Sequence, residues 1–462
     1  MSESETPPIT EEPRHTFGWW MLGLLLAVML VNSLVTSLSP KNAAANPPIN
    51  ANEELLKQVV SQLRLISYSP TGDETSTKDL RTKTLEELKE PISDLVPASK
   101  TDPAAARMYA AMRTEAGESV PQESLAPLRN SKSPSDQVLA RIYGVPKLSP
   151  AEAKAMVAML PDEPFVYQLA KVHALEKSGD KEARDRIFTG RRAIGMVVAG
   201  IFAIMVLIGS AIAWSLYMRA RRDNKIGESS GYPMGSITLA DADRLALRAA
   251  QIVGLFLVYL VLAALLRLGA AGTIASGIAI IVTLPILAQV PVYGKRITLQ
   301  TAGISARNLF QHILWGIGGF LVELPIALFM AALGAALFSF LPAPTHPAAQ
   351  ELAQAKDLWS KLPIILFATI TAPIWEEFVF RGLLFPALGR VFGRVVAAAV
   401  ATGFIFAMIH PQGIALWFGL ATVGTMGCAL TYHTRSLIPT MVMHMLHNTA
   451  TVALLLLMTA PV

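Results

Sequence analysis

The stretch "PIWEEFVFRG", Pro373–Gly382, places two adjacent glutamates and an arginine in a strongly apolar part of the chain. "LPIILFATITA" precedes it and "LLFPALG" follows, so residues 361–388 read as one apolar helix carrying three ionisable groups in its middle. Crossing a bilayer core takes ~20 residues of helix, and ionisable groups at that depth are costly and serve a site or a pair. Glu377 and Arg381 stand at i and i+4 and share a helix face, where they can pair. Glu376 is turned about 100° from Glu377. One carboxylate can therefore be neutralised by the arginine while the other faces a cavity. The structural alternative is an ion pair at a helix end with Glu376 merely solvated.

The rest of the composition agrees with a membrane setting. The 462 residues are 52% hydrophobic and only 16% charged, against about 25% charged for a soluble domain. Apolar runs near 17–38, 193–217, 246–268, 273–293, 309–341, 361–388, 393–410, 413–432 and 436–459 are candidate spans. The expected fold is an all-α polytopic membrane protein with about nine transmembrane helices. The run at 309–341 is long for one straight span and is expected to tilt or to break near Pro325. A net charge of +5 does not indicate nucleic acid; the cations sit at the ends of apolar runs, as in cytoplasmic loops. The single cysteine, Cys428, excludes an internal disulfide and any cysteine-based metal cluster.

The chain divides by composition. Residues 1–16 are polar and acidic and read as a disordered tail. Residues 17–39 form a transmembrane anchor, because the run lacks the basic start and short core of a cleaved signal. Residues 40–190 have no spanning run and read as a largely helical extracytoplasmic insertion between the first and second spans. There, Leu55, Leu56, Val59, Val60 and Leu63 share a helix face. Ser149-Pro-Ala-Glu152 is a capping box with proline at the first helical position, and residues 166–188 read as a helical hairpin turning at Gly179-Asp180. Residues 191–342 supply further spans, and 361–459 a last group. Arg219, Arg221, Arg222, Lys225, Arg244, Arg248, Lys295, Arg296, Arg307, Arg390, Arg394 and Arg435 fall in one set of loops; Arg267, Lys356 and Lys361 fall in the other. This bias puts the N-terminus in the cytoplasm and residues 40–190 outside.

Three further places carry polar groups inside spans. "FIFAMIHPQG" puts His410 at the end of an apolar helix, where a lone histidine is more often structural. "IPTMVMHMLHNTATV" stacks His444 and Asn448 at i and i+4, with His447 as a flanking packing residue. Such pairs also arise from ordinary helix–helix hydrogen bonding. Glu323, in "GFLVELPIALF", has no local partner and is expected to make a structural hydrogen bond or line a cavity. Together, a carboxylate, two imidazoles and an amide on three spans supply a base, a proton shuttle and oxyanion donors.

"EEFVFR", "FAMIH" and "HMLHN" match in order the EExxxR, FxxxH and HxxxN motifs of the CPBP family of intramembrane proteases. That family includes the CAAX prenyl endopeptidases and bacterial abortive-infection and bacteriocin-processing proteins. The chain resembles it over 361–459, and residues 1–240 have no counterpart there. The resemblance implies a peptidase of the glutamate type, formerly classed as metalloproteases, that hydrolyses a peptide bond in a membrane-associated protein or peptide. It implies Glu376 as general base, Glu377 and Arg381 as supporting pair, His410 as a second water-positioning group, and His444 and Asn448 as oxyanion-side donors. No cofactor is implied. Zinc stays open, since one glutamate and two histidines could ligate it, although the HExxH signature is missing. A bacterial inner (plasma) membrane is the expected location, with the lipid bilayer and a membrane-associated substrate as partners. A proton-coupled transporter and a non-catalytic scaffold or immunity protein are the competing readings; no second copy of the Glu-Arg or His-Asn pattern supports the repeats of a transporter. The sequence leaves the oligomeric state open.

Overall fold

The computed structural model describes residues 12–38, 48–67, 74–188, 190–223, 237–304, 308–341, 352, 355, 357–410 and 412–458. Residues 1–11 of the expected tail, and Lys41, Lys225, Arg307 and Lys356 of the charge pattern, lie outside them. Among the described residues the fold is helical, and the only β pairing is an isolated bridge between Val292 and Lys295. The protein is an all-α polytopic membrane protein. Among the described residues six helices are long and apolar enough to cross a bilayer, and three shorter apolar helices accompany them. The chain forms two compact units, Met1–Pro40 with Phe202–Leu455 and Lys41–Ile201 with Leu456–Val462.

In chain order the helices are α1 (Phe17–Leu38), α2 (Pro48–Ser67), α3 (Glu74–Glu86), α4 (Lys89–Ser99) and α5 (Pro103–Glu115). Then come α6 (Ala126–Arg129), α7 (Pro134–Gly144), α8 (Pro150–Ala158), α9 (Phe165–Lys177) and α10 (Ala183–Ile187). The apolar series is α11 (Arg191–Arg222), α12 (Leu239–Leu265), α13 (Gly269–Gln289) and α14 (Leu309–Leu337). It closes with α15 (Leu358–Phe392), α16 (Val395–Met408), α17 (Trp417–Thr434) and α18 (Ile438–Met458).

The Lys41–Ile201 unit is built on α5 and α9. Asp102 caps α5 by accepting from the Ala104 and Ala105 amides, both at 3.1 Å, and Pro103 occupies the first turn. Small residues at Ala105, Ala106, Ala110 and Ala111 let neighbours close on α5, whose stretch from Met108 to Met112 is buried throughout. The expected face of α2 is seen: Leu56, Val59 and Val60 are fully buried in the same core. The Ser149–Glu152 capping box is also present. α9 ends at Lys177, and Gly179 turns the chain at φ +97°.

In the other unit α15 is the central element. Half of its apolar window is buried within the protein, against 6% for α11. α15 is not a uniform helix: Phe367–Thr371 and Phe378–Leu384 are π-helical turns separated by the α-helical Ala372–Glu377. Such turns insert a residue into a helix and recur at functional sites. α14 runs unbroken through Pro325, so the break considered for this run does not occur.

Glycines set how closely the spans approach. A Cβ on Gly424 of α17 would lie 2.5 Å from the Cα of Gly403 on α16. One on Gly316 of α14 would lie 2.6 Å from the Pro439 carbonyl oxygen on α18. Small residues at these crossings give the dispersion contact that drives association where water does not. The N-terminal segment is fastened as well. Asp243 of α12 accepts from Arg14 at 2.8 and 2.9 Å, from the His15 amide at 2.8 Å and from Trp19 Nε1 at 3.0 Å. The acidic segment read as a tail therefore reaches a fixed anchorage from Glu12 onward, where Glu12 also pairs with Arg244 and Lys295.

Candidate active site

Glu376 and Glu377 end the α-helical piece of α15 between its two π turns. Glu377 and Arg381 are both completely buried and pair at 2.8 Å, as their i, i+4 spacing requires. Two side chains of α18 also donate to Glu377: the Thr440 hydroxyl at 2.5 Å and His444 Nδ1 at 2.7 Å. Two hydrogen bonds and an ion pair thus surround one buried carboxylate, the condition under which a buried charge is tolerated. Arg381 is held in turn by the Val423 carbonyl at 3.3 Å and lies over the Phe406 ring, 4.7 Å from its centroid. Gly427 of α17 makes room for it, since a Cβ there would come within 2.8 Å of Arg381 Nε.

The bond to Glu377 fixes the tautomer of His444. A carboxylate oxygen only accepts, so Nδ1 carries the proton and Nε2 points elsewhere. Nε2 lies 3.7 Å from Glu376 Oε2. Glu376 is 8% exposed, and no described group hydrogen-bonds its carboxylate. The two adjacent glutamates therefore differ in kind. One is saturated by fixed donors; the other has acceptor capacity to spare beside an imidazole nitrogen.

His410 is joined to this cluster through Phe406. Its Nδ1 donates to the Phe406 carbonyl at 2.7 Å, which leaves Nε2 as the unprotonated nitrogen of the neutral ring. The Phe406 ring lies 4.5 Å from the His410 ring and 5.6 Å from that of His444, centroid to centroid. Asn448 sits one turn along α18 from His444, but its Nδ2 donates to the Ala368 carbonyl at 2.8 Å. That carbonyl belongs to the first π turn of α15, so Asn448 ties α18 to the irregular stretch just before the glutamates.

Two features were not read from the sequence. Thr440 lies one turn before His444 on the same face of α18, and that spacing was the available signal. His447 pairs with Glu323 of α14, Nδ1 to Oε2, at 3.1 Å, with Glu323 fully buried. This gives Glu323 the structural hydrogen bond expected of it and gives His447 more than a packing role. Among the described residues no three His, Cys, Asp or Glu side chains are grouped to hold a metal ion. His444 donates Nδ1–H to Glu377 and turns Nε2 toward Glu376.

Residues 358–450 match the family model described as Type II CAAX prenyl endopeptidase Rce1-like. The six residues Glu376, Glu377, Arg381, His410, His444 and Asn448 all fall within the matched segment. No curated protein and no solved structure matches the chain.

Proposed function

We propose, from the membership of segment 358–450 in the CPBP/CAAX protease family, that this intramembrane peptidase cleaves its substrate with a water activated by Glu376. The observation that carries the reading is the division of labour between the glutamates: Glu377 is saturated by Arg381, Thr440 and His444, whereas Glu376 has no hydrogen-bond partner among the described residues. A base must have a lone pair that no fixed donor occupies. Glu376 takes a proton from water as the water oxygen bonds to the scissile carbonyl carbon. The tetrahedral intermediate collapses with loss of the C–N bond, and the proton held by Glu376 passes to the departing amine. His410 positions the water through Nε2. His444, fixed by Glu377, turns Nε2 toward the Glu376 carboxylate and takes up the proton from it in exchange. Asn448 keeps the π turn registered against α18.

The substrate is a membrane-associated protein or peptide. The protein is integral to the membrane, a bacterial inner membrane in our reading; the arginine and lysine bias supports an N-terminus in the cytoplasm and residues 40–190 outside. The test is proteolysis of a peptide library by purified, detergent-solubilised protein, with Glu376→Gln alongside and a chelator in parallel arms. Cleavage by the wild type alone, unchanged by chelator, supports the reading. Equal cleavage by a folded Glu376→Gln protein sinks Glu376 as the base. Chelator-sensitive cleavage replaces the glutamate mechanism with a metal one.

A further inference from the structure

The helical unit at Lys41–Ile201 has a cleft of about 620 Å³ between α2, α3, the end of α5, the α7–α8 loop, α9 and α10. Its floor is a buried polar chain. His173 meets the Tyr143 hydroxyl through Nδ1 at 3.3 Å and donates from Nε2 to Glu115 at 3.0 Å. Arg184 grips the same carboxylate with two bonds, at 2.8 and 3.1 Å. Burial by itself would raise the Glu115 pKa, but the His173 bond and the Arg184 charge outweigh it and hold the group at about 2. Glu115 is therefore a permanent anion, already spent.

The charges around that floor do not balance. Five cations line the cleft, Arg64, Arg81, Lys147, Lys177 and Arg184, against the acids Glu115, Glu176 and Asp185. Each acid has a partner: Glu115 and Glu176 pair with Arg184, and Asp185 with Arg64 at 3.5 Å. Lys177 donates to the Ile142 and Val145 carbonyls at 2.7 and 2.8 Å, contacts that leave its charge unneutralised. Arg81 and Lys147 are exposed at the rim and pair with no acid among the described residues. An ion network that only fixed α5, α9 and α10 together would need none of these three. A concave site with surplus charge of one sign concentrates ligands of the other.

We propose that this cleft binds a short acidic peptide segment, with carboxylates meeting Arg81, Lys147 and Lys177 and its backbone lying along Leu63 and Pro146. The volume is far larger than a single oxyanion needs, and the apolar wall suits a chain rather than an ion. The carboxylates are side chains or a free chain end, and the experiment separates them. Full-length protein in neutral detergent is titrated against a fluorescein-labelled tetraglutamate peptide, by anisotropy, with a free and an amidated C-terminus and a tetraglutamine control. Binding of tetraglutamate, at least ten-fold tighter than tetraglutamine, is expected. Arg81→Glu and Lys147→Glu should each weaken it about ten-fold, while Lys132→Glu and Arg141→Glu, equal charge changes away from the cleft, leave it within two-fold. A stronger loss on amidation than on shortening the acidic run assigns the chain end; the reverse assigns the side chains. No binding at millimolar peptide overturns the proposal, as does equal weakening by all four variants. Displacement by inorganic phosphate at the peptide's own affinity also overturns it, in favour of a plain oxyanion site.

Discussion

Thr440 donates its hydroxyl to Glu377 across two helices, at 2.5 Å, with both side chains wholly shielded from solvent. With the His444 bond and the Arg381 ion pair it occupies Glu377, whereas Glu376 has no hydrogen-bond partner among the described residues. Thr440→Val keeps the shape and removes the donor. A hydrogen bond to a charged group is worth about 1.5–3 kcal/mol. We expect a fall of roughly ten-fold in kcat with KM little changed, and recovery in Thr440→Ser. Steady-state kinetics on a cleaved library peptide checks this; equal KM and kcat losses in both variants would mean that Thr440 only packs.

Breaking the Glu377–Arg381 pair should damage folding before chemistry. Removing one member of a buried pair costs about 3–5 kcal/mol because the other is left uncompensated. Glu377→Gln and Arg381→Met should each lower membrane yield and thermal stability in detergent. The double variant should regain part of that stability, since no charge is stranded. A double variant less stable than either single one would show that the two residues act independently.

Gly427 offers a contrast with Gly200. In an exposed helix, Gly→Ala gains about 1 kcal/mol, and nothing lies within 4 Å of a Cβ at Gly200. At Gly427 the same methyl meets Arg381 Nε at 2.8 Å and Thr440 Oγ1 at 2.9 Å. Gly427→Ala should lower the melting temperature and the activity, with overpacking costing about 1–3 kcal/mol. Gly200→Ala should leave activity intact and the melting temperature equal or higher.

His447→Leu strands Glu323, whose Oε2 it partners and whose Oε1 has no other hydrogen bond. The expected outcome is poor yield with normal activity per folded molecule, measured by active-site-independent quantification of monodisperse protein. Loss of activity at full yield would move His447 into the reaction.

Acid should open the Lys41–Ile201 unit first around Glu115. Its folded pKa of about 2 lies below its ordinary value of 4.5. The unfolded chain therefore takes up the proton first as pH falls. The stabilisation is complete above about pH 4.5 and is lost on the way down to about 2, on the order of 3 kcal/mol. Hydrogen exchange of α5 and α9 in the full-length protein should show protection falling across that window. In Glu115→Gln the protection should be lower throughout and flat there.

What the sequence disclosed, and what it withheld, follows from distance along the chain. Glu377–Arg381 and the Ser149–Glu152 box are set by spacings of three or four residues, which helix geometry converts directly into contact. Glu376 stood out as a candidate because a charge among apolar residues demands a reason. The Glu323–His447 pair spans 124 positions and Arg14–Asp243 spans 229; no local period announces such partners. The π turns of α15 are equally silent, since their residues suit an ordinary helix. Asn448 is a further case: the bond of its amide to a carbonyl of the first π turn, 80 positions away, has no local signal either.

The anchorage of Arg14 on Asp243 also sets an order in time. The arginine leaves the ribosome 229 residues before its partner, which at ~5–20 residues per second is a wait of roughly ten to fifty seconds. Through that interval α1 is without its contact to α12. When α12 arrives, Asp243 enters beside a set of donors that has been standing ready, so the newest carboxylate need never be buried without them.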